Sequence, residues 1–197
     1  LGRVLSRGSL ITIDVGTASL NDGREALTFL NQVVFGLYAE LAAVRERTRS
    51  GVLDAVPEVF ESLFQAVSQA PIDYRLLLDG RRLDVRTQVF VVALGAYDRI
   101  DPPWPGRSDP ASGELVAYLG RTDTPVAFAT LLARCLATGL HGNDELEQHH
   151  ARAVRVEAGG PVHLSVDGEP RRVEGTVTLT LAPRALRVVG GERKRAA

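Results

Sequence analysis

The segment 161–182, "PVHLSVDGEPRRVEGTVTLTLA", decides the fold class of this chain. From Val162 to Val166 apolar residues occupy every second position, which is typical of a strand with one buried face. The Asp-Gly pair that follows, at Asp167, favours the positive φ angles of a tight hairpin turn. The segment therefore predicts consecutive antiparallel strands, and it raises the question whether Glu169, just after the turn, serves chemistry or only the turn.

Strand patterns of the same kind occupy most of the remaining chain. Two further Asp-Gly pairs, at Asp22 and Asp79, predict two more hairpin turns. The predicted strands, about nine in all, lie in 10–15, 26–36, 72–97 (two strands), 114–119, 151–158, 162–168, 171–182 and 185–190.

Three segments have a helical rather than an alternating pattern. Apolar residues at helical spacing predict helices over 37–50, 54–70 and 125–140. The segment 95–113 contains four prolines, which cannot continue a β-ladder, so it is predicted to be a long irregular loop. Strands that are consecutive at both ends of the chain predict a mainly β protein of the α+β class, an antiparallel β-sandwich with about three inserted helices.

Composition and net charge limit the classes of protein to which this chain can belong. With 45% hydrophobic and 24% charged residues the balance is that of a globular protein, and the formal net charge of −1 argues against a nucleic-acid partner. No apolar run is long enough for a transmembrane helix, no signal peptide is recognisable, and the single Cys135 suits a reducing compartment, so we expect a cytoplasmic protein. We expect one domain over 1–190 and a flexible basic tail over 191–197.

Two clusters of reactive side chains are interpreted as structural. His163, Ser165 and Asp167 share one strand face, but successive members stand ~6.6 Å apart by strand rise, too far for a nucleophile and its base. The segment 141–150, "HGNDELEQHH", is rich in metal-ligand types, but its adjacent histidines would diverge on a helix or a strand. A polar connection between a helix and a strand is the favoured interpretation of 141–150.

The longer context of the hairpin resembles the C-terminal domain of the lipid kinase superfamily of diacylglycerol, sphingosine and ceramide kinases. In that family an apolar strand leads into Asp-Gly-Glu, then a strand, a proline and a final strand, as in 161–189 here. Upstream, a strand ending in Asp-x-Gly precedes the pattern F-x-N-x-x-x-x-G-x-x-A, which is matched by Phe29, Asn31, Gly36 and Ala39.

The resemblance implies an activity for a longer protein. Family members transfer the γ-phosphoryl group of ATP to a lipid hydroxyl in a cleft between two domains, and they need Mg²⁺. The N-terminal nucleotide-binding domain, with its GGDGT motif, has no counterpart in these residues, and neither a GxGxxG nor a GxxxxGK[ST] motif offers a phosphate cradle. The chain by itself is therefore expected to be inactive; its implied partners are that domain and a lipid, with the lipid chains in the sandwich interior and peripheral membrane contact left open.

The resemblance also assigns roles to individual residues. Asp167, Gly168 and Glu169 are implied on the nucleotide side, with Glu169 facing the metal and phosphate. Ser112 stands where the family has an aspartate that acts as base, and a serine hydroxyl is a poor proton acceptor. Asp109, three residues earlier, is the substitute that the sequence offers.

Because of that serine, the sequence leaves the enzymatic status open. The first alternative is a non-catalytic lipid-binding or regulatory module with a degenerate kinase site. The second is an unrelated β-sandwich interaction domain, in which the Asp-Gly-Glu segment is only a turn.

Overall fold

The structure, a computed structural model, describes residues 9–36, 71–88, 90–97, 109–120, 124, 126–127, 130 and 146–190. The described residues form twelve strands and one short 3-10 helix at Asn21–Gly23. The strands are β1 (Ser9–Leu20), β2 (Glu25–Phe29), β3 (Gln32–Phe35), β4 (Ile72–Leu78), β5 (Arg81–Thr87), β6 (Phe90–Leu94), β7 (Leu115–Gly120), β8 (Leu146–Ala151), β9 (Ala153–Ala158), β10 (Val162–Val166), β11 (Glu169–Val173) and β12 (Val177–Gly190).

The strands form two six-stranded sheets in which every neighbouring pair is antiparallel. The first sheet has the order β2-β1-β12-β9-β4-β5, and the second has the order β11-β10-β3-β6-β7-β8. The predicted mainly β, antiparallel architecture is confirmed. The number of strands exceeds the prediction because several predicted runs divide where the chain passes from one sheet to the other.

The core lies between the sheets and is built from the alternating residues of both. Phe35 and Phe90 of the second sheet stack with ring centroids 4.5 Å apart, and Tyr74 of the first sheet meets Phe90 edge-on at 5.3 Å. Burial raises the pKa of the Tyr74 hydroxyl far above its usual range. Among the described residues the interior is filled by buried apolar side chains, so the expectation that this interior receives the lipid chains finds no support.

The expectation of about three inserted helices is not confirmed, because no complete α-helix lies among the described residues. The predicted helices over 37–50 and 54–70 fall outside those residues. Of the third, over 125–140, only Val126, Ala127 and Thr130 are described, and they are helical. No helix in the described part of the chain is long and apolar enough to cross a membrane.

The predicted single strand over 26–36 is wrong. It is two strands, β2 in the first sheet and β3 in the second, joined at Leu30 and Asn31. The apolar pattern continues through this corner because Phe29 and Val33 face the same core from different sheets. Periodicity reports which side chains are buried, but it does not report which sheet buries them.

Two other predicted strand ends are also wrong. The strand expected to stop at Gly16 continues to Leu20, and the strands expected on either side of Pro183 are one strand, β12. The β1–β12 pairing shifts register between Ile13 and Val15, opposite the Pro183 region, so the proline lies in a bulge rather than a turn. Arg184, at φ 52°, supplies the left-handed residue of that bulge.

Gly16 leaves room for a core aromatic ring. It pairs across the strands with Phe29, whose ring lies directly over it, and a Cβ built on Gly16 would overlap that ring. Phe29 is fully buried, and a close-packed interior leaves such a ring little room to move. The glycine therefore packs the ring against the strand backbone instead of ending the strand.

Replacing Gly16 by alanine is expected to destabilise the domain by about 1–3 kcal/mol, the usual cost of overpacking. Urea unfolding of the 197-residue chain measures this change. Thr17→Ala, on the exposed face of the same strand, is the matched control and should change stability by less than about 0.5 kcal/mol. An equal effect of both substitutions would show that the contact with Phe29 does not constrain residue 16.

Candidate functional site

The residues predicted for the site come from distant parts of the sequence and lie at one end of the second sheet. At that end β10 and β6 finish while β11, β3 and β7 begin. We call this end the site edge and define it by residues 30–32, 95–97, 109–114 and 167–169. Strand spacing of about 4.8 Å puts the 167–169 turn some three strands, about 14 Å, from the 109–114 segment. The two groups of predicted residues share an edge, but they are not in direct contact.

The Asp167 carboxylate is occupied by backbone N–H groups of the β2–β3 corner. Its Oδ2 accepts the N–H of Leu30 at 2.6 Å, and its Oδ1 accepts those of Asn31 and Gln32, both at 2.9 Å. The Asp167 N–H in turn donates to the carbonyl of Gln32 at 3.0 Å. Asp167 has φ 49° and Gly168 has φ 99°, as the predicted turn requires. The geometry gives Asp167 a structural role, while its implied role toward the nucleotide stays a prediction.

Glu169 is the acidic group of this turn that remains available to a ligand. Its side chain is 73% exposed and its Oε2 lies 2.9 Å from the Arg171 guanidinium. An exposed ion pair of this kind contributes little to stability and separates easily. Glu169 lies on β11, at the outer edge of the second sheet, so its carboxylate can reach a ligand placed beyond the site edge.

Asp109 and Ser112, the two predicted catalytic positions, differ in what their side chains can do. The exposed Asp109 uses one oxygen, Oδ1, to accept the Ala111 N–H at 2.9 Å. The Ser112 hydroxyl is buried and has no hydrogen-bond partner among the described residues. It packs on Gly95, where a Cβ would come within 2.8 Å of the hydroxyl oxygen. Among the described residues no carboxylate forms a hydrogen bond with Ser112, so none of them prepares its hydroxyl to accept a proton.

Tyr97 occupies the part of the site edge between the two predicted groups, and the sequence analysis did not single it out. Its hydroxyl donates to Oε1 of Gln32 at 2.6 Å and lies 3.3 Å from Oδ1 of Asn31, while its N–H donates to the Tyr118 hydroxyl at 2.9 Å. Tyr97 is 4% exposed. Tyr97 therefore binds the side chains of the same corner whose N–H groups Asp167 accepts. Asn31 was part of the resemblance motif, but no sequence signal pointed to Tyr97.

A buried aspartate, Asp14, holds the 109–114 segment in place and was also missed. Its Oδ2 accepts the Gly113 N–H at 2.7 Å, its Oδ1 accepts the Arg184 N–H at 2.7 Å, and its own N–H donates to the carbonyl of Pro110 at 2.9 Å. Asp14 is 2% exposed. The Asp-x-Gly ending of the first predicted strand was the signal that could have identified it. Asp14 thereby connects the candidate catalytic segment to the first sheet.

The other two Asp-Gly turns use the same arrangement as Asp167. Asp79 accepts the N–H groups of Arg152 and Ala153 at 2.8–3.1 Å, where the chain passes from β8 to β9. Asp22 accepts the N–H of Thr176 at 3.0 Å, between β11 and β12, and this bond lowers the pKa of the Asp22 carboxyl. All three corners are places where the chain passes between sheets. The recurrence favours a structural role for the aspartate of each turn.

The histidine-rich segment is partly a strand, and the predicted polar connection is wrong for its described residues. Leu146–Ala151 is β8, at the edge of the second sheet. His149 lies 3.1 Å from Glu147, and His150 lies 3.1 Å from Glu114. Burial lowers the pKa of His149, which disfavours its charged form. The described residues contain no group of three or more metal-ligand side chains.

Replacing Asp167 by asparagine separates its structural role from a chemical one. The new amide would point N–H donors at the N–H of Leu30 or of the following residues, so we expect a loss of about 1–2 kcal/mol. Glu169→Gln, two residues away and exposed, should change stability by less than about 0.5 kcal/mol. Urea unfolding of both variants measures the difference. Equal stability of the two would show that the corner does not depend on the Asp167 charge.

Comparison with known proteins finds similarity only at the level of structure. No family model matches the sequence, and no curated protein matches it. Solved structures of proteins described as diacylglycerol kinases, from Bacillus anthracis str. Sterne, do match. One aligns with a TM-score of 0.66 at 15% identity and another with 0.62 at 11% identity, each over 96% of this chain.

The chain spans 57–60% of the length of these solved kinases. At such identities the comparison establishes the fold, while the activity of the whole kinases is a matter for proposal. The chain has a diacylglycerol kinase-like fold.

Proposed function

We propose that this chain is the C-terminal, lipid-side domain of a diacylglycerol or sphingosine kinase-like enzyme. Joined to a nucleotide-binding domain, it would phosphorylate a lipid hydroxyl with ATP. The observation that supports the proposal is the site edge: the segments implied by the resemblance, at 109–112 and at 167–169, lie at the same end of the second sheet, about three strands apart, on a kinase-like fold. Such a reaction requires a positioned lipid hydroxyl, a base, and charge stabilisation of the transferred phosphoryl group.

Asp109 is the better candidate for the base. It is exposed at the site edge, and its second carboxylate oxygen has no partner among the described residues. The buried hydroxyl of Ser112 has no base to take its proton among the described residues. In this proposal Asp109 orients and deprotonates the lipid hydroxyl, and Ser112 shapes the adjacent surface.

Glu169 is proposed to face the metal and the phosphates. Mg²⁺ is bound in many phosphoryl-transfer sites by one or two carboxylates together with phosphate oxygens and water. One exposed carboxylate at this turn fits that pattern, while the described residues hold no cluster that would bind the metal without a nucleotide. Mg²⁺, when bound, would neutralise charge on the triphosphate. Gly168, at φ 99°, lets the backbone turn so that Glu169 faces outward.

The isolated chain is proposed to be inactive. It has no phosphate-binding motif, and an acidic side chain alone repels a triphosphate. Lipid kinase activity, cytoplasmic localisation and any peripheral membrane contact are therefore proposals for the longer protein.

One observation favours a second candidate function, a non-catalytic lipid-binding or regulatory module. Ser112 replaces the expected base, and its buried hydroxyl has no hydrogen-bond partner among the described residues, as in a site that has lost its chemistry. In this case the protein would bind lipid through the same domain and transfer nothing.

The test measures lipid phosphorylation by the longest natural protein that contains this chain, with Mg-ATP and either diacylglycerol or sphingosine. We expect Asp109→Asn and Glu169→Gln each to lower turnover at least tenfold without changing the melting temperature. Ser112→Ala, the matched control at the same edge, should keep most of the activity. The 197-residue chain alone should transfer no phosphate.

The outcomes separate the candidates. Full activity of Glu169→Gln in an active parent would mean that the turn has no chemical role. An inactive parent that still binds lipid would favour the regulatory module. An inactive parent that binds neither lipid would refute both proposals.

A further inference from the structure

Asn31 lies in the middle of the site edge, at the start of β3. β3 has β10, which leads into the Asp-Gly-Glu turn, on one side and β6 on the other. The Asn31 N–H donates to Asp167 at 2.9 Å, and the Asn31 carbonyl accepts the N–H of Leu94 at 3.0 Å. Just beyond Leu94, the carbonyl of Asp109 lies 3.4 Å from where a Cβ on Gly95 would be. Asn31 therefore stands between the two groups of predicted site residues.

Most hydrogen-bonding groups in the middle of the site edge are already in use. The backbone N–H groups of 30–32 are accepted by the Asp167 carboxylate. The buried Tyr97 hydroxyl has one proton, and its bond to Gln32 at 2.6 Å uses that proton. These groups therefore offer nothing further to an anionic ligand.

The Asn31 side chain is the exception. It is exposed, and its amide carries two N–H donors. Its Oδ1 lies 3.3 Å from the Tyr97 hydroxyl oxygen. Even with the amide turned over, so that one N–H meets the Tyr97 oxygen, the other N–H has no partner among the described residues. Asn31 thus presents at least one available donor at the middle of the site edge.

The fold itself does not explain an asparagine at this position. The bonds that hold the corner come from the Asn31 backbone, which every residue type except proline supplies in full. Asn31 has no positive φ angle, the conformation for which asparagine is often retained. The side-chain amide is therefore available for a role beyond the corner.

We propose that the Asn31 amide donates a hydrogen bond to a non-bridging oxygen of the phosphoryl group during its transfer. In the proposed function Glu169 faces the metal and the phosphates, and Asp109 orients the lipid hydroxyl, so the transferred group passes between them. Charge on that group is spread over its three non-bridging oxygens, and a donor held in place there stabilises the transition state. The inference rests on the proposed function and adds a catalytic residue to it.

The step leaves Asn31 covalently unchanged. The lipid oxygen forms a bond to the γ-phosphorus while the bond between that phosphorus and the β–γ bridging oxygen breaks. ADP leaves with the electron pair of the broken bond, and the proton of the lipid hydroxyl passes to Asp109. Because the contact is made to the group in transit, Asn31 contributes to turnover and not to the binding of ATP.

Kinetics of the longest natural protein that contains this chain test the inference. Asn31→Asp keeps the shape of the side chain without its donors, and Asn31→Ala removes the amide. With Mg-ATP and diacylglycerol or sphingosine, each should lower kcat about 100-fold, the usual effect of losing one such donor. The KM for ATP should stay within about twofold of the parent value. Thr28→Ala, exposed on β2 outside the site edge, is the matched control and should keep the parent kcat.

A binding measurement gives a readout that does not depend on turnover. Tetrafluoroaluminate with Mg-ADP imitates the phosphoryl group in transit. This combination should bind at least tenfold more weakly to Asn31→Ala than to the parent, whereas Mg-ADP alone should bind both equally. The melting temperature of Asn31→Ala should equal that of the parent, because the corner keeps its backbone bonds.

The outcomes separate the inference from the proposed function. An active parent whose kcat is unchanged in Asn31→Ala would refute the inference and keep the kinase. Weaker binding of Mg-ADP alone would assign Asn31 to nucleotide binding, and a lowered melting temperature would assign it to the corner; either result overturns the inference. A parent that phosphorylates no lipid but binds tetrafluoroaluminate through Asn31 would keep the contact and refute the lipid kinase. A parent with neither property would refute both.

Discussion

The bond between an aspartate carboxylate and the backbone N–H groups of a remote corner is the interaction on which this structure depends. A sandwich chain that leaves one sheet for the other exposes N–H groups that no ladder satisfies, and each such group is costly if it stays unpaired. Asp22, Asp79 and Asp167 satisfy three of these corners, and each belongs to a hairpin turn of the neighbouring strands. The turn and the corner therefore define each other's position, although they are 73 to 154 residues apart in the sequence.

This constraint changes how the Asp-Gly-Glu segment is understood. Asp167 and Glu169 are close in sequence, but their carboxylates have different roles. The Asp167 carboxylate accepts the N–H groups of the corner at 30–32, and this fixes the turn. The Glu169 side chain, on the edge strand that follows, stays exposed. A rigid turn with one available acid is a suitable platform for chemistry, because positioning is what phosphoryl transfer mainly asks of the protein. Asp167 therefore has a structural role, and Glu169 is the acid of this turn that is available for chemistry.

Much of the fold could be predicted from the sequence, because alternation reports burial and Asp-Gly pairs report hairpin turns. The strand before Asp167 and the antiparallel class followed from those two signals. The missed features depend on contacts between residues far apart in the chain. Gly16 appeared to end a strand because its role is to accommodate the Phe29 ring from the next strand. The passage from β2 to β3 left the apolar pattern unchanged, since both sheets bury their residues in one core.

The candidate site was predictable to the same extent. Resemblance to a family supplied Asp109, Ser112 and Glu169, and the topology brought their segments to one edge. Alternation could not supply Tyr97 or Asp14, because their roles consist of hydrogen bonds to residues 21 to 170 positions away. The Asp-x-Gly ending of the first strand marked Asp14 without naming the N–H groups that its carboxylate accepts. For Tyr97 the sequence offered no such mark.

The most direct test of this account is amide exchange at the β2–β3 corner, measured by NMR on the 197-residue chain. Leu30 and Asn31 are exposed, so ordinary loop amides in their place would exchange as fast as those of the exposed Gly159 and Gly160. If the Asp167 carboxylate holds the corner, the amides of Leu30, Asn31 and Gln32 will exchange at least tenfold more slowly at neutral pH, and Asp167→Asn will reduce that protection. Exchange of Leu30 and Asn31 at the rate of the two glycines would contradict the account, because the turn would then not hold the corner that positions the site.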